Sequence, residues 1–597
     1  MRKAEFVGRE KGTRMDISRR DLFKGAAVAG VAAATTAAGF SIKPAFADIP
    51  TTPADSGKTL AENPYLNIFD GEVNYLPVKK IDKDWQYLQG DAAFEDREIP
   101  EAEIMKTDSC DFLVIGAGIC GIMATLKASD EGANVICVEK MSRGRNTWES
   151  IGGYGSKAQA ESGNVVDPAR FADAILRSGY FRALPDVVWS YINNSGETID
   201  YMQEIFDQSD YDIEIYNTTQ PETGYDMVTI QAEHKFKITG PVEWNAHLTG
   251  MFPMAALTSV AASRSNVDLR HYTAGVQLIQ DDSGRVTGAI VKNEEGYYRI
   301  NASKGVLLAT GGYENNFELM KAWMRPEDFS TASLTGPCSG PTGDGHMMGL
   351  RVGANMDPIP HAPMVFNGGF HKTGGRSLSI KSKIMAVAPI VNKRGVRFCN
   401  ESHQKDCLAN AINAQLYFTG GAWYIFDSIV MNGVDEAALK KYFDAEFLYK
   451  ADTLDQLAET LGLPEGVLPD TIDQWNGYLA MDTPIDPEFR RDLVSVNSVV
   501  AALTDGKVQA AALPVKEGPF YAMTTRADLL VTVSGLIVNE NCQVLDTDGN
   551  VIEGLYAGGN TSGGMYSGTY PRHLPSVSVG RAATFGYVAA KHAVKGE

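Results

Sequence analysis

Cysteine is scarce in this 597-residue chain, with seven residues scattered at Cys110, Cys120, Cys137, Cys338, Cys399, Cys407 and Cys542. The number is odd and no CxxC or CxxCH pair occurs. That argues against a disulfide framework, a zinc knuckle or other metal site, a covalently attached c-type haem and an iron–sulfur centre. Basic charge is short as well: 54 Lys and Arg face 74 Asp and Glu, a formal net charge of −20. Such a chain repels a phosphate backbone, and no basic patch past the N-terminus offsets this, so no nucleic acid is expected as a partner. Low-complexity repetition is missing too. The 59 Gly, 26 Pro and 44% hydrophobic residues are those of an ordinary globular protein, and the length suggests about four domain-sized units with a sizeable core.

What is present begins with an address. Ser18-Arg19-Arg20-Asp21-Leu22-Phe23-Lys24 precedes a weakly apolar, Ala- and Gly-rich stretch from Gly25 to Ile42, then Ala45-Phe46-Ala47. This resembles a twin-arginine signal peptide over residues 1–47, cleaved before Asp48. A membrane anchor is the alternative, disfavoured by the Gly, Ala and Thr that fill a segment only marginally long enough to span. Export through the twin-arginine translocase moves folded proteins, so a cofactor inserted beforehand and a periplasmic or extracytoplasmic location are expected. Without residues 1–47 the chain holds 45 basic and 70 acidic residues, a charge of −25. Residues 48–105 are polar, Pro-containing and aperiodic, and read as an N-terminal arm or linker.

The first folded element is a βαβ unit. Phe112-Leu113-Val114-Ile115 suits a buried parallel strand, and it runs into Gly116-Ala117-Gly118-Ile119-Cys120-Gly121, a G-x-G-x-x-G turn. A helical stretch from Ile122 to Glu131 follows, then a second strand, Val135-Ile136-Cys137-Val138, ending at Glu139. Gly116 permits the tight turn, Gly118 lets backbone approach a pyrophosphate, and Gly121 lets helix and strand pack closely. Glu139 stands at the distance from which an acidic residue accepts hydrogen bonds from an adenosine ribose. Downstream, Gly305 to Gly312 is another strand ending in the small-residue turn Thr310-Gly311-Gly312. Thr342-Gly343-Asp344-Gly345 is a tight acidic turn, and Gly554 to Asn560 repeats the strand-into-glycine design through Gly559 before a helix from about Gly580 to Ala593. Three such segments converging on one extended ligand suit a bound FAD better than an exchangeable nicotinamide.

These segments, with Arg145-Asn146-Thr147, Gly152-Gly153, the Asn392 to Glu401 stretch and Gly518-Pro519-Phe520-Tyr521-Ala522, resemble the fumarate reductase/succinate dehydrogenase flavoprotein superfamily. That group includes soluble fumarate and urocanate reductases and 3-ketosteroid dehydrogenases, and the likeness covers about residues 108–595. The resemblance implies an α/β fold: a Rossmann-like, discontinuous FAD-binding domain over 106–354 and 511–597, with an inserted α+β capping domain over 355–510. It implies one noncovalent FAD, because no His sits between Arg145 and Gly153. The implied FAD contacts are Gly116, Ala117, Gly118, Gly121, Glu139, Lys140, Asn146, Thr147, Gly152, Gly153, Val276, Thr310, Gly311, Gly312, Asp344, Gly559, Asn560, Ser578 and Val579.

The same resemblance implies reduction of an activated C=C bond, with hydride from the flavin to one carbon and a proton to its neighbour. Where fumarate reductases place a proton-delivering Arg after the N-E pair, this chain has Lys405, four residues past Glu401. A Lys becomes an acid when desolvation lowers its pKa. The dicarboxylate clamp of that group is altered: Ala362-Pro363, Val531 and Ser567 to Pro575 stand where it would carry cationic donors. Thr569-Tyr570-Pro571 is closer to ketosteroid dehydrogenases, so Tyr570 is expected to polarise a carbonyl, with Arg572 or His573 as a further donor. His361 and His403 read as structural. The expectation is an exported oxidoreductase acting on an unsaturated acid or ketone in anaerobic respiration, fed by a separate donor such as a cytochrome or membrane quinol dehydrogenase. A ketosteroid-type desaturase and a non-enzymatic electron-transfer flavoprotein are the alternatives.

Overall fold

A computed structural model describes residues 93–596, apart from 146, 148, 219–230, 240–250, 326–327, 329–332, 335–339, 368–379, 404, 482, 484, 496, 509, 567, 569 and 572–573. The expected signal peptide and the arm up to residue 92 therefore lie outside the described residues. The long elements follow hydrophobic content. Strand β1 (Ile104–Ile115) is exposed along its polar first half and buried throughout Phe112–Ile115, the run that reads as a two-sided buried strand. It leads through the glycine turn into helix α1 (Ile119–Asp130), which is buried along most of its length. Strands β2 (Val135–Val138) and β3 (Val267–Arg270) extend the sheet, and β4 (Ala274–Gln280) and β5 (Val286–Asn293) form a hairpin. The 13-residue β6 (Gly296–Leu308) is central, and β7 (Gln543–Leu545) and β8 (Val551–Ala557) return from the C-terminal region.

Sheet order is β7-β8-β6-β1-β2-β3, parallel from β8 to β3. The β4–β5 hairpin lies antiparallel on the first half of β6. Register places Ile115, Leu308 and Ala557 side by side at the carboxyl ends of β1, β6 and β8. The three glycine turns thus leave the sheet at one edge, the place where open parallel sheets bind ligands. The C-terminal helix, described below, packs beside α1 and on β1, β6 and β8, and helix α2 (Pro185–Phe206) packs on that helix.

A second, antiparallel sheet runs Ile390–Asn392, Ala422–Phe426, Phe520–Thr524, Leu448–Ala451. Its last-arriving strand, Phe520–Thr524, comes from beyond residue 510, where sequence reading placed the domain boundary. Helices Leu454–Leu461 and Val467–Leu479 pack a core of Leu457, Leu468, Ile472 and Trp475 against it. Thr453 caps the first of these helices by accepting from the Gln456 N–H, and Gly462 ends it at φ 62°, the left-handed conformation glycine adopts without strain. The strand Pro363–Asn367 pairs antiparallel with Ala527–Thr532, so chain leaving and re-entering the main sheet region runs side by side.

Candidate active site

The glycine turn has the three expected properties in measurable form. Gly116 sits at φ 105°, and a Cβ there would lie 2.4 Å from the Ala309 carbonyl oxygen. A Cβ on Gly121 would lie 1.7 Å from the Gly116 carbonyl oxygen, so helix and strand meet there only because the side chain is missing. Gly118 is the reverse case: nothing lies within 4 Å of its built Cβ. It is the N-cap of α1, and no side chain caps that terminus. The result is a helix N-terminus with no side-chain cap among the described residues and room beside Gly118, an arrangement that attracts phosphate. Glu139 is buried, and its two oxygens accept the N–H groups of Ala117 and Met141 at 2.8 Å each. Burial raises its pKa. The carboxylate therefore fixes the shape of the phosphate loop as well as standing at the ribose position.

At the β6 exit, Thr310 Oγ1 accepts the Gly345 N–H at 3.1 Å, and Thr561 donates to the Gly311 carbonyl at 3.0 Å. These bonds tie the second turn to α3 (Asp344–Arg351) and to the third turn. A Cβ on Gly312 would lie 2.3 Å from Thr532 Oγ1, whereas Gly311, at φ 80°, faces a wider gap. The third turn, Gly559–Thr561, presents Asn560, whose Oδ1 accepts from Arg581 at 2.8 Å. Helix α4 (Lys405–Thr419) packs chiefly on the strands Pro363–Asn367 and Ala527–Thr532. Helix α5 (Val577–Lys595) closes the site from the C-terminal side. A Cβ on its Gly586 would lie 2.0 Å from the Cys120 carbonyl oxygen of α1.

Other expected contacts also have partners within the protein. Gly152 and Gly153 are packing positions: a Cβ on Gly152 would press the Pro575–Val577 backbone at 2.9 Å, and one on Gly153 would meet Ile199 at 2.4 Å. Lys140 donates to Thr342 Oγ1 at 2.6 Å and to Asp344 at 2.8 Å. Asp344 also accepts the Ala93 N–H at 2.9 Å, so its carboxylate binds protein groups. Val276 is fully buried, and its carbonyl faces the Glu95 N–H at 3.5 Å. Ser578 donates its backbone N–H to Tyr570 Oη at 3.1 Å, and Val579 packs partly buried on the core. The buried Tyr570 ring thereby caps the first turn of α5, a role that sequence reading did not assign. Asn146 and Arg572 lie outside the described residues, as does the Lys405 side chain, although its backbone opens α4.

Sequence reading missed Arg581, which is fully buried. Its Nη1 reaches the carbonyls of Val533 (3.3 Å) and Ser562 (3.4 Å), and its guanidinium lies 4.5 Å over the Tyr566 ring. Burial lowers its pKa. A lone Arg inside the otherwise small and apolar Val577–Phe585 stretch was the available signal. Nearby, Asp357 accepts the N–H groups of Gly535 and Gly564 at 3.0 Å each, and burial pushes its pKa up to about 6. His361 is buried between Tyr313 Oη (2.8 Å) and the Asp357 carbonyl (3.0 Å), and burial lowers its pKa to about 3. It is a neutral structural histidine.

Three buried polar atoms, Thr147 Oγ1, Tyr566 Oη and Arg581 Nε, have no hydrogen-bond partner among the described residues. Orphans of this kind are costly unless a ligand answers them. With the open space at Gly118 they fit a flavin dinucleotide. Residues 111–576 match the FAD binding domain family. The chain is 26% identical over 551 residues to the urocanate reductase of Eggerthella lenta, covering 90% of this chain and 82% of that protein. To the vinyl phenol reductase of Lactiplantibacillus plantarum it is 26% identical over 533 residues, covering 82% and 98%. Among solved structures, a flavocytochrome c3 fumarate reductase in its open conformation superposes with a TM-score of 0.61 at 25% identity, covering 87% of this chain and 85% of that one. The chain belongs to the FAD binding domain family, and FAD is its cofactor.

Proposed function

We propose that this FAD protein reduces the C=C bond of an α,β-unsaturated acid or ketone outside the cytoplasm, with reducing equivalents from a separate electron donor, in anaerobic respiration. The observation that carries the reading is the near end-to-end match to a urocanate reductase and a vinyl phenol reductase, two proteins named for reducing different unsaturated compounds. Bound FAD supplies the hydride. The protein's own groups hold charge and position. The α1 N-terminus balances pyrophosphate charge, Glu139 fixes the loop, and Arg581 supplies a buried positive charge at the third turn.

Glu401 accepts from Arg397 at 2.8 and 3.0 Å and from Arg491 at 3.1 Å. This anchors the chain four residues before Lys405, the proposed proton donor. Tyr570 and Arg572 are the proposed carbonyl or carboxylate donors. Ala362 and Val531 are apolar and buried where a dicarboxylate would need fixed cations, which favours a monoacid, aryl-acrylate or enone substrate. The twin-arginine pattern supports export, and the missing haem motif supports a separate donor such as a cytochrome or quinol dehydrogenase.

Anaerobic turnover with reduced viologen against enoates, aryl-acrylates and enone steroids tests the reading. The expected result is substrate-dependent reoxidation of the reduced flavin. If none of these compounds reoxidises it, the proposal fails. Desaturation of saturated ketones with an artificial acceptor, and no reduction, would replace it with the dehydrogenase reading.

A further inference from the structure

We propose that residues 93–99 form a strap that retains FAD by closing the adenosine end of the cradle, with Asp344 as its buckle. The inference rests on the cofactor and not on the substrate, so its failure leaves the reductase reading untouched. The strap is held at both ends and along its length. Ala93 donates its N–H to Asp344 at 2.9 Å, and Ile99 donates to Gln277 Oε1 at 2.8 Å. Arg351, at the end of α3, donates to the carbonyls of Glu95 (2.6 Å) and Arg97 (3.0 Å), and its guanidinium lies 5.6 Å from the Phe94 ring centroid. The Glu95 carboxylate takes Lys292 at 3.0 Å and Tyr297 at 2.6 Å.

The strap also has its own small core. Ala93 and Ile99 close over Ala274, Val276 and Ile290, a cluster separate from the main one. Its location follows from the ribose-side carboxylate. Asp344 is bonded to Lys140, the residue after Glu139, and Thr273, just before β4, donates its N–H to the Glu139 carbonyl at 2.9 Å. The strap therefore spans α3, β4, β5 and β6 beside the nucleotide end. A unit with a small core and polar anchors opens more easily than the sheet beneath it, so its opening sets the rate at which the dinucleotide leaves.

The test uses the full-length holoprotein carrying Glu95→Ala and Arg351→Ala together. FAD release is followed after dilution as the rise in free-flavin fluorescence, with amide exchange of residues 93–99 measured in parallel. Release at least tenfold faster than native, with faster exchange in the strap, is expected. An Arg177→Ala control, which breaks a surface ion pair with Asp173, should release at the native rate. Release from the double variant within twofold of native overturns the proposal, and so does equal acceleration in the control. If the double variant does not fold, Glu95→Gln alone carries the test, with about threefold faster release expected and an unchanged rate overturning it.

Discussion

Two parts of this molecule bury arginine completely, on opposite plans. Beside the antiparallel sheet, Arg397 and Arg491 face the carboxylates of Glu401 and Asp486, all at most 1% exposed, and both guanidinium groups lie against Trp475 at 4.8 and 5.0 Å. Charge there is balanced within the protein. At the glycine edge, Arg581 has no carboxylate within ion-pair distance among the described residues, and its bonds go to carbonyls and Asn560. The nearby carboxylate, Asp357, spends its oxygens on two backbone N–H groups. Burying a charge is expensive in both places. The first cluster answers its charge with its own carboxylates, whereas the second leaves a positive charge beside the third glycine turn.

The contrast is sharpest under substitution. Arg397→Met should destabilise the apoprotein by about 3–5 kcal/mol, because it strands buried carboxylates, while FAD bound per folded molecule stays native. Urea unfolding and the flavin-to-protein absorbance ratio measure the two. Acid separates the sites next. Glu401 and Asp486 lie below their ordinary pKa values, with burial opposed by the two arginines for Glu401 and by backbone N–H groups and Arg397 for Asp486. Their stabilisation is present above the ordinary carboxylate range and is lost as pH falls through the folded values.

Asp357 runs the other way. Its folded pKa of about 6 stands above the ordinary 3.8, so its contribution is greatest in acid and declines as pH rises toward 6. Asp357→Asn should therefore grow more favourable relative to native between pH 4 and 7, by about 2–3 kcal/mol, read from paired unfolding curves. Arg581→Met should leave apoprotein stability within about 1 kcal/mol of native, or raise it, and weaken FAD binding by roughly tenfold to a hundredfold. Fluorescence titration of apoprotein decides; unaltered affinity would erase the distinction between the two sites. Least of all, Lys440→Ala, which removes an exposed pair with Asp444, should not move the unfolding midpoint measurably.

Local rules reached the cradle because backbone geometry dictates it. Gly116 and Gly121 each answer a steric demand within one turn, Gly118 leaves room beside them, and the apolar runs before Gly116, Thr310 and Gly558 announce the strands that bring those turns together. Long-range side-chain partners were not legible. Asp344 and Lys140 are 204 residues apart, and the bonds of Asp344 to Lys140 and Ala93 are announced by no local pattern. Tyr570 is expected at the substrate, and its hydroxyl also accepts the Ser578 N–H in the first turn of α5, a bond that no local pattern announces. The first half of β1 hides behind Lys106 and Asp108, because those residues sit on an exposed stretch held by β6. Phe520–Thr524 joins the antiparallel sheet by pairings that no periodicity in its own sequence records.

Strand β6 takes β1 along one side and β8, from the last fifty residues, along part of the other. A ribosome that had not yet made β8 would expose Val306–Leu308 of β6 with that part of the edge bare. The third turn forms only after β8 has been made, and pairing Val306 with Leu555 closes a far longer loop than the early βαβ unit, a slower step.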